Sequence, residues 1–388
     1  MKKNNPIVIG IDIGSSYIKA VACLYGDDIK YPLVLATYKE QIDGVIRGNV
    51  MSDKDVAKSL SLAVDSIEDE IGEKVKHILI SVSGTEISSC HISSFTQVTK
   101  GDTSVTDLDI DNAIKEGKKV IPDAKNKTVI HHIPIRYKID GNEITGDPIG
   151  MCGNRLEIKT LFVTCGNNAI NSLKRAISAS SIRVTDIVTG IIAESIPLLT
   201  KKQKMAGALL LNIGSQTTSI LVYENNIPLL VSVLPIGGDD ITKDIAIGMK
   251  VTIEEAEDIK CGSVEKVHSK RKVEEIIEAR IEYLCDKINK ELHKIGRSEL
   301  LPAGVIVSGD SSKIERLDYM LRNGLKLPIK ISKNELLKFS ENNLTDTEWA
   351  RAYGLCFLAP DDSEGAAIKE VLTNTANSVK KFFSQFLP

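Results

Sequence analysis

Apolar residues recur along the chain at two spacings, one typical of helices and one typical of strands. Residues 53–71 and 272–295 carry them at helical spacing, and Gly72 and Gly296 follow where each helix would end. A further helix is predicted near 107–120. The clearest of these helices is 272–295, which keeps its apolar face over its whole length.

Short β-branched runs between the helices predict buried strands, among them VKHILISVSG at 75–84 and AGVIVSG at 303–309. The loop SGDSSKIE follows the second of these strands, and Ser312 with Glu315 suits the capping box of a helix after it. Mixed strands and helices in two halves predict an α/β protein with one sheet in each half.

One pattern occurs twice, about two hundred residues apart. Residues 7–36 read IVIGIDIGSSYIKAVACLYGDDIKYPLVLA, and residues 207–235 read GALLLNIGSQTTSILVYENNIPLLVSVLP. Each copy predicts a strand, a tight Gly/Ser turn, a second strand, another turn and a third strand. Two copies of one three-stranded unit imply two similar halves. Residues 86–165 interrupt the first half like an inserted module, with a Gly/Pro-punctuated loop, DPIGMCGNRLE, near its end.

The two Gly/Ser turns are candidates for binding phosphate from opposite sides of a cleft. Exposed backbone N–H groups and hydroxyls in such turns attract anions. The first turn offers Gly14 and Ser16, and the second offers Gly214, Ser215 and Thr218. Each turn could instead be a simple hairpin connection. Two matched copies, together with the strand–glycine–helix loop as a further anion site, favour a nucleotide.

Charged residues beside the first turn extend this hypothesis. Asp12 could hold a hydrated Mg²⁺ ion, which usually takes one or two carboxylates and keeps its waters. Lys19 supplies a cation to the same turn. The chain has neither a GxxxxGK[ST] loop nor a GxGxxG sequence after a strand, and no Ser/His/Asp or Cys/His set is evident. His131 and His132 lie in a strand-like run, where a structural role is expected.

Composition narrows the class of protein. The chain has 42% apolar and 26% charged residues, as an ordinary globular protein does, and its net charge of −3 argues against nucleic acid as a partner. Its seven cysteines are scattered without a CxxC pair, as in a reducing cytosol. No signal peptide or membrane-spanning run is evident, so a cytoplasmic protein is expected.

The last eleven residues, SVKKFFSQFLP, are unusually apolar for such a chain. On a helix they would form one apolar face flanked by two lysines, and the residues expected to bind membrane are Val379, Lys380, Lys381, Phe382, Phe383, Phe386 and Leu387. This pattern is typical of a helix that lies in a membrane surface rather than crossing it. The alternative is a terminal helix docked on the protein's own core.

Taken in order, these motifs resemble those of the actin superfamily, and most closely those of the FtsA family of bacterial cell-division actin homologues. IGIDIGSSYIKAV is similar to that family's first phosphate motif, and LPIGGDDITKDIAIGM, EEAEDIK and AGVIVSGDSSKIE continue the series. The most specific stretch is IDGNEITGDPIGMCGNRLE, which resembles the inserted subdomain that FtsA has and actin lacks. The resemblance runs over nearly the whole chain.

The resemblance implies an actin-like two-lobed fold of four subdomains, including the FtsA-type insertion, followed by an amphipathic C-terminal helix. It implies ATP or ADP with Mg²⁺ between the lobes, self-assembly into filaments, and binding to the C-terminal peptide of FtsZ, to membrane lipids and to other division proteins. The protein would then lie on the inner face of the cell membrane at the division site. The implied division of the chain is first-lobe core 1–85, inserted subdomain 86–165, first-lobe core 166–200, second-lobe core 201–240, partner-binding subdomain 241–298, second-lobe core 299–345, return to the first lobe 346–362, linker 363–377 and membrane-targeting helix 378–388.

The resemblance also assigns nucleotide contacts by position. Phosphate and metal would meet Asp12, Gly14, Ser15, Ser16 and Lys19, with Asp12 as the metal ligand. The second phosphate motif and the cleft would contribute Asn212, Gly214, Ser215, Gln216, Thr217, Gly237 and Gly238. The adenosine would lie near Glu257, Lys260, Gly309, Asp310 and Ser312.

Several positions depart from the family pattern. Asn212 stands where the family usually has an aspartate. Gln216, Asp310 and Arg316 stand where the family often has glycines. Nucleotide binding with slow or absent hydrolysis is therefore expected. The leading function is a membrane tether for FtsZ filaments, and the alternatives are an FtsA-like pilus-assembly adaptor and a small-molecule kinase of the superfamily.

Overall fold

The computed structural model describes residues 6–25, 31–99, 101, 103–263, 269–332 and 346–358. These residues form two α/β lobes with a cleft between them, together with an inserted set of four strands. The predicted linker at 363–377 and the membrane-binding residues of 378–388 lie outside the described residues. No helix among the described ranges is long and apolar enough to cross a membrane.

The first lobe is built on a five-stranded sheet, ordered β11-β6-β1-β2-β3. Its strands are β1 (Ile7–Ile13), β2 (Tyr17–Leu24), β3 (Leu33–Gln41), β6 (His77–Val82) and β11 (Asp186–Thr189). A two-stranded ladder of β4 (Val45–Ile46) and β5 (Asn49–Val50) follows β3. The helices are α1 (Asp53–Ile71), α3 (Asn167–Ala179), α4 (Gly190–Leu198) and α10 (Ala350–Cys356). Strands β1 and β2 are buried along nearly their whole length, so the sheet lies at the centre of the lobe.

The insertion is a four-stranded antiparallel sheet with one helix packed on it. It comprises β7 (Ser88–Gln97), α2 (Asp107–Lys119), β8 (Lys127–Ile139), β9 (Asn142–Ile144) and β10 (Arg155–Gly166). A separate apolar cluster, which includes Leu156 and Phe162, fills the space between α2 and the sheet. His131 is fully buried, and its Nε2 accepts a hydrogen bond from the Thr189 N–H of the first-lobe sheet.

The second lobe repeats the hairpin unit of the first. It comprises α5 (Lys201–Ala206), β12 (Ala208–Ile213), β13 (Thr218–Glu224), β14 (Ile227–Leu234), α6 (Gly238–Met249), α7 (Ile253–Cys261), α8 (Lys270–Lys294), β15 (Val305–Ser308), α9 (Leu317–Leu325) and β16 (Ile329–Ile331). Its five strands follow the order β16-β15-β12-β13-β14. Helix α8 buries an apolar stripe that includes Ile281 and Ile288, as its sequence spacing predicts.

The expectation of one sheet for each half is wrong in one respect. Strand β14 pairs with β7 through Ser232 and Ser88, so the second-lobe sheet and the insertion form one nine-stranded sheet. Beyond that pair the strands are linked by side chains: the Ser89 hydroxyl accepts from the Val231 N–H, and His91 Nε2 lies 2.6 Å from the Leu229 carbonyl oxygen. Edge strands with free N–H and C=O groups can join in this way, which no single-strand pattern foretells.

The predicted end of α1 is confirmed, and the predicted start of α9 is wrong. Helix α1 begins after Ser52, whose hydroxyl accepts from the Asp55 N–H, and ends at Gly72 in the left-handed region. The capping box at Ser312 is wrong, because residues 310–313 form one 3-10 turn and α9 begins only at Leu317.

Helices α4 and α10 carry the chain between the lobes and pack against each other behind the cleft. Close approach explains two glycines here. A Cβ at Gly354 would lie 2.0 Å from the Ala193 carbonyl oxygen, and a Cβ at Gly10 would lie 2.1 Å from that of Ala352. The packing holds the charged side chains of both helices at the base of the cleft.

Candidate functional site

The two Gly/Ser turns have the same backbone geometry. The Gly14 N–H donates to the Tyr17 carbonyl at 3.0 Å, and the Gly214 N–H donates to the Thr217 carbonyl at 2.9 Å. Each turn joins two strands in the central part of its sheet, so the strands fix its position. The repeat in the sequence is therefore a repeat in the structure.

The turns face each other across the cleft, as the sequence predicts. The Ser16 hydroxyl donates to the Ser215 hydroxyl at 2.9 Å, and Gln216 Oε1 accepts from the Arg47 N–H at 2.8 Å. On the first-lobe side, Ser15 Oγ accepts from the Gly48 N–H. The space enclosed is about 70 Å³, so the lobes lie close together in this structure.

Asp12 and Lys19 face each other across the first hairpin and lie in the cleft wall. Asp12 Oδ1 accepts from the Ser81 hydroxyl at 2.5 Å. Lys19 Nζ lies 3.1 Å from Glu348 Oε2 and 3.9 Å from Asp310 Oδ2, and it is almost fully buried. Lys19 therefore lies in the cleft wall with two carboxylates beside it.

Asn212 has the position in the second hairpin that Asp12 has in the first, but its surroundings differ. Its amide donates to Glu194 Oε1 at 2.8 Å, and the Ser308 hydroxyl donates to the same oxygen at 2.5 Å. Glu194 is fully buried, and its other oxygen accepts from Arg351 Nε at 2.8 Å. A buried ion pair thus lies directly behind the second turn.

The electrostatics of the cleft favour the charged forms of Arg351 and Glu348. Burial acts to lower the pKa of Arg351, but the carboxylates of Glu194, Asp12 and Asp310 outweigh it and raise that pKa. Burial acts to raise the pKa of Glu348, and the ammonium groups of Lys39 and Lys19 hold it below its ordinary value instead. Fixed charges of both signs therefore surround the phosphate region near neutral pH.

Glu257 and Lys260, two of the residues expected near adenosine, form a second group with Thr242. Lys260 Nζ donates to the Gly238 carbonyl at 3.3 Å, to Thr242 Oγ1 at 2.9 Å and to Glu257 Oε2 at 2.7 Å. Gly237 and Gly238 use their N–H groups within the protein, toward Asp240 and the Gly214 carbonyl. These glycines bring the start of α6 against the second turn.

A cavity of about 400 Å³ opens beside Lys260, between the end of α7, helix α8 and residues 313–316. Its volume lies within the range of small-ligand pockets. Gly309 and Asp310 belong to the phosphate cleft, whereas Lys313 and Arg316 line the larger cavity. Ser312 lies between them in the 3-10 turn. The loop after β15 thus connects the phosphate region with a space suited to a nucleoside.

The cleft suits phosphate better than a divalent cation. Hydroxyls of Ser15, Ser16 and Ser215 converge on it, and two cations line it. For Mg²⁺, Asp12 is the carboxylate of the cleft wall that has no ion pair among the described residues, and Arg351 lines the same space. No group of three or more candidate metal ligands occurs among the residues that the structure describes.

Sequence reasoning missed Glu194, Arg351 and Glu348, because none of them belongs to a recognisable motif. Glu194 did carry a signal, since it is the single charged residue in the apolar helix GIIAESIPL. A charge in such a segment requires a buried partner. The partner itself lies 157 residues away and could not be identified from spacing.

A larger cavity of about 1030 Å³ lies elsewhere, between the insertion and the second lobe. Ser89, His91, Lys159 and Arg297 are among its lining residues. Burial lowers the pKa of His91 there. Neither Gly/Ser turn contributes to this cavity, so it is separate from the candidate nucleotide site.

The fold and the twin-turn cleft define an actin-like protein with an inserted sheet. Among solved structures, the PilM-PilN type IV pilus biogenesis complex matches with a TM-score of 0.67 at 18% identity, over 90% of this chain and 97% of that one. The ethanolamine utilization protein EutJ of Carboxydothermus hydrogenoformans matches with a TM-score of 0.51 at 14% identity, over 90% and 89% of the two chains. These likenesses show the actin-like fold.

Sequence comparisons give the family. The family model "Cell division protein FtsA" matches residues 209–354, and "SHS2 domain inserted in FTSA" matches residues 84–164. The cell division protein FtsA of Pseudomonas aeruginosa is 26% identical over 367 residues, 89% of this chain and 86% of that protein. That of Bacillus subtilis is 24% identical over 351 residues, 85% and 79% of the two chains. The chain belongs to the FtsA family of cell-division proteins.

Proposed function

We propose that this protein binds ATP or ADP in the cleft, polymerises, and tethers FtsZ filaments to the inner face of the cell membrane. The observation that carries the nucleotide part is the contact between Ser16 and Ser215, which brings two anion-binding turns to one point. The division part rests on membership of the FtsA family.

A bound nucleotide would replace contacts that the two lobes now make with each other. Hydroxyls of Ser16 and Ser215 would donate to phosphate oxygens in place of one another, and the lobes would separate enough to admit them. The nucleoside would occupy the cavity beside Lys260. Mg²⁺ at Asp12 stays a prediction, and so do the individual contact residues.

Slow or absent hydrolysis also stays a prediction. Turnover of ATP requires a group that orients the attacking water. The carboxylates that line the cleft are engaged: Asp12 accepts from Ser81, and Asp310 and Glu348 are paired with Lys19. The same engagement argues against the small-molecule kinase, which needs a free catalytic carboxylate facing its substrate.

Membrane attachment would come from residues 378–388, and the weak hold of a single tail would couple it to polymerisation. Burial of one phenylalanine is worth about 1.5–3 kcal/mol, and each lysine near an anionic leaflet adds about 1 kcal/mol. Ordering the helix offsets much of this gain. A filament that presents many tails would bind tightly through avidity.

The FtsZ peptide would bind the subdomain at 241–298, which contains α8. Arg280 on that helix forms two hydrogen bonds with the Asp244 carboxylate, at 2.6 and 2.8 Å. An arginine held in this way has a fixed guanidinium orientation, so its remaining N–H groups can meet a partner carboxylate from a defined direction. The proposal includes Arg280 as a residue that contacts the FtsZ peptide.

Membrane attachment can be tested with Phe382→Glu combined with Phe386→Glu in the full chain. The variant is expected to keep the fold and to lose sedimentation with anionic liposomes, because two charges replace the apolar face. The matched control is Phe95→Glu, since Phe95 is a half-exposed phenylalanine of the insertion. Continued sedimentation of the double variant would show that the membrane anchor lies elsewhere.

The choice between a division protein and a pilus-assembly adaptor can be tested with the C-terminal peptide of FtsZ. Capture of the full chain by the immobilised peptide would support the cell-division function over the pilus-assembly function. The structural likeness to PilM shows the fold alone and does not favour the adaptor.

A further inference from the structure

Arg351 is placed to act in the cleft, although no sequence motif marks it. Its Nε donates to Glu194 at 2.8 Å, and its Nη2 donates to Ser219 Oγ at 3.2 Å. No hydrogen bond to Nη1 occurs among the described residues, and the side chain, 11% exposed, lines the phosphate cleft. The guanidinium is therefore held rigidly on one side and keeps a donor for the cleft.

Two of the carboxylates that line the cleft already form ion pairs with lysines and are therefore poor ligands for a divalent metal. Lys19 lies beside Asp310 and Glu348, and Lys39 also pairs with Glu348 at 2.6 Å. Asp12 is the carboxylate of the cleft wall without an ion pair in the described part of the chain, and its Oδ1 is engaged by Ser81.

The second hairpin has no carboxylate at the position that matches Asp12. Asn212 is neutral, and its amide is committed to Glu194. A dication in the cleft would thus have Asp12 as the one lining carboxylate without an ion pair in the described part of the chain, and the neighbouring cations of Lys19 and Arg351 would oppose its binding.

We propose that Arg351, together with Lys19, supplies the positive charge that meets the nucleotide phosphates, so that ATP and ADP bind without a divalent metal ion. The proposal rests on the proposed function of the cleft and names the charge that serves it. Arg351 suits this role because a guanidinium stays charged when buried and its planar fork matches phosphate oxygens. Glu194 and Ser219 fix its orientation before the nucleotide arrives.

The proposal is tested by equilibrium dialysis of radiolabelled ATP and ADP against the full chain, in excess EDTA and in Mg²⁺. The wild-type dissociation constants are expected to agree within about threefold in the two buffers. The test variant combines Arg351→Met with Glu194→Gln, so that no buried carboxylate is left unpaired. In EDTA its affinity is expected to fall by about tenfold or more, as for loss of a charged hydrogen bond, and Mg²⁺ is expected to restore part of it.

The matched control combines Arg297→Met with Glu224→Gln. This pair also joins an arginine to a glutamate, at 2.6 Å, but it borders the cavity beside the insertion. Nucleotide affinity of the control should equal that of the wild type in both buffers. A melting curve for each variant separates loss of binding from loss of fold.

The outcomes distinguish the proposal from the proposed function. Wild-type binding that occurs only in Mg²⁺ overturns the metal independence and leaves nucleotide binding intact. Failure to bind in either buffer overturns nucleotide binding itself. Metal-independent binding that persists in the folded Arg351→Met, Glu194→Gln variant overturns the role given to Arg351.

Discussion

The turn after β1 and the turn after β12 share a backbone and differ in their charges. In the first, Asp12 accepts from the Ser81 hydroxyl and Lys19 faces two carboxylates. In the second, Asn212 is a neutral donor to Glu194, and the positive charge comes from Arg351 on another element. The first hairpin carries its own acid and base, whereas the second depends on residues behind it.

This difference shows how one supersecondary unit can serve two electrostatic roles. The hairpin backbone fixes where N–H groups and hydroxyls point, and it repeats because the same Gly/Ser turn is encoded twice. The charges depend on what packs against each copy. Changing a residue behind one turn should therefore affect that turn and leave its counterpart intact.

The largest effect is expected for Glu194→Ala. The change leaves the Arg351 guanidinium buried without its carboxylate and removes an acceptor from Asn212 and Ser308. Removal of one partner from a buried ion pair typically costs about 3–5 kcal/mol. The free energy of unfolding is measured by urea denaturation. The control is Glu224→Ala, whose pair with Arg297 is partly exposed and should cost about 1 kcal/mol or less.

The exchange of acid and amide between the hairpins should have a smaller, unequal effect. Asn212→Asp places a second carboxylate against Glu194 and removes a donor, which should cost about 1–3 kcal/mol. Asp12→Asn keeps an oxygen that accepts from Ser81, so it should cost about 1 kcal/mol or less. Denaturation curves give both values. Equal losses in the two variants would mean that the surroundings do not distinguish the hairpins.

Glu194→Gln sharpens this second comparison. Combined with Asn212→Asp it removes the repulsion between two carboxylates, so most of the lost stability should return. Combined with Asp12→Asn it should restore no stability, because both carboxylates favour the charged form of Arg351 and each change removes one of them.

A methyl group added in each turn is expected to have a smaller effect than Glu194→Ala or Asn212→Asp. A Cβ at Gly14 would lie 2.8 Å from the Tyr17 carbonyl oxygen, whereas a Cβ at Gly214 would lie 3.3 Å from that of Thr217. Gly14→Ala should therefore cost roughly 1–2 kcal/mol and Gly214→Ala less than about 1 kcal/mol. Thermal melts in the absence of nucleotide measure both. A larger loss for Gly214→Ala would contradict the geometry of the turns.

Much of the fold follows from local patterns in the sequence. The helices α1, α2 and α8 and the strands of both hairpins have the apolar spacing of their type, and the repeat predicts two similar lobes. That the two turns line one cleft was also predictable, because both turns are recognisable in the sequence and a shared cleft explains why they match. These features depend on neighbours within a few residues.

Contacts between distant segments were not predictable in the same way. The capping box at Ser312 failed because the chain makes a 3-10 turn beneath the second hairpin, where Ser311 Oγ donates to the Gly214 carbonyl at 3.2 Å. The joining of the two sheets at Ser232 and Ser88 depends on the orientation of the insertion. No spacing in the sequence encodes that orientation.

The sequence by itself determined where turns, strands and amphipathic helices lie, since hydrophobic periodicity and glycine placement act over one or two turns of chain. Only the tertiary structure decided the charge of the cleft. Glu194 and Arg351 meet because the glycine at 354 lets α4 and α10 approach closely enough to bury an ion pair. A charge inside an apolar helix reports that a partner must exist, but its identity depends on how the helices pack.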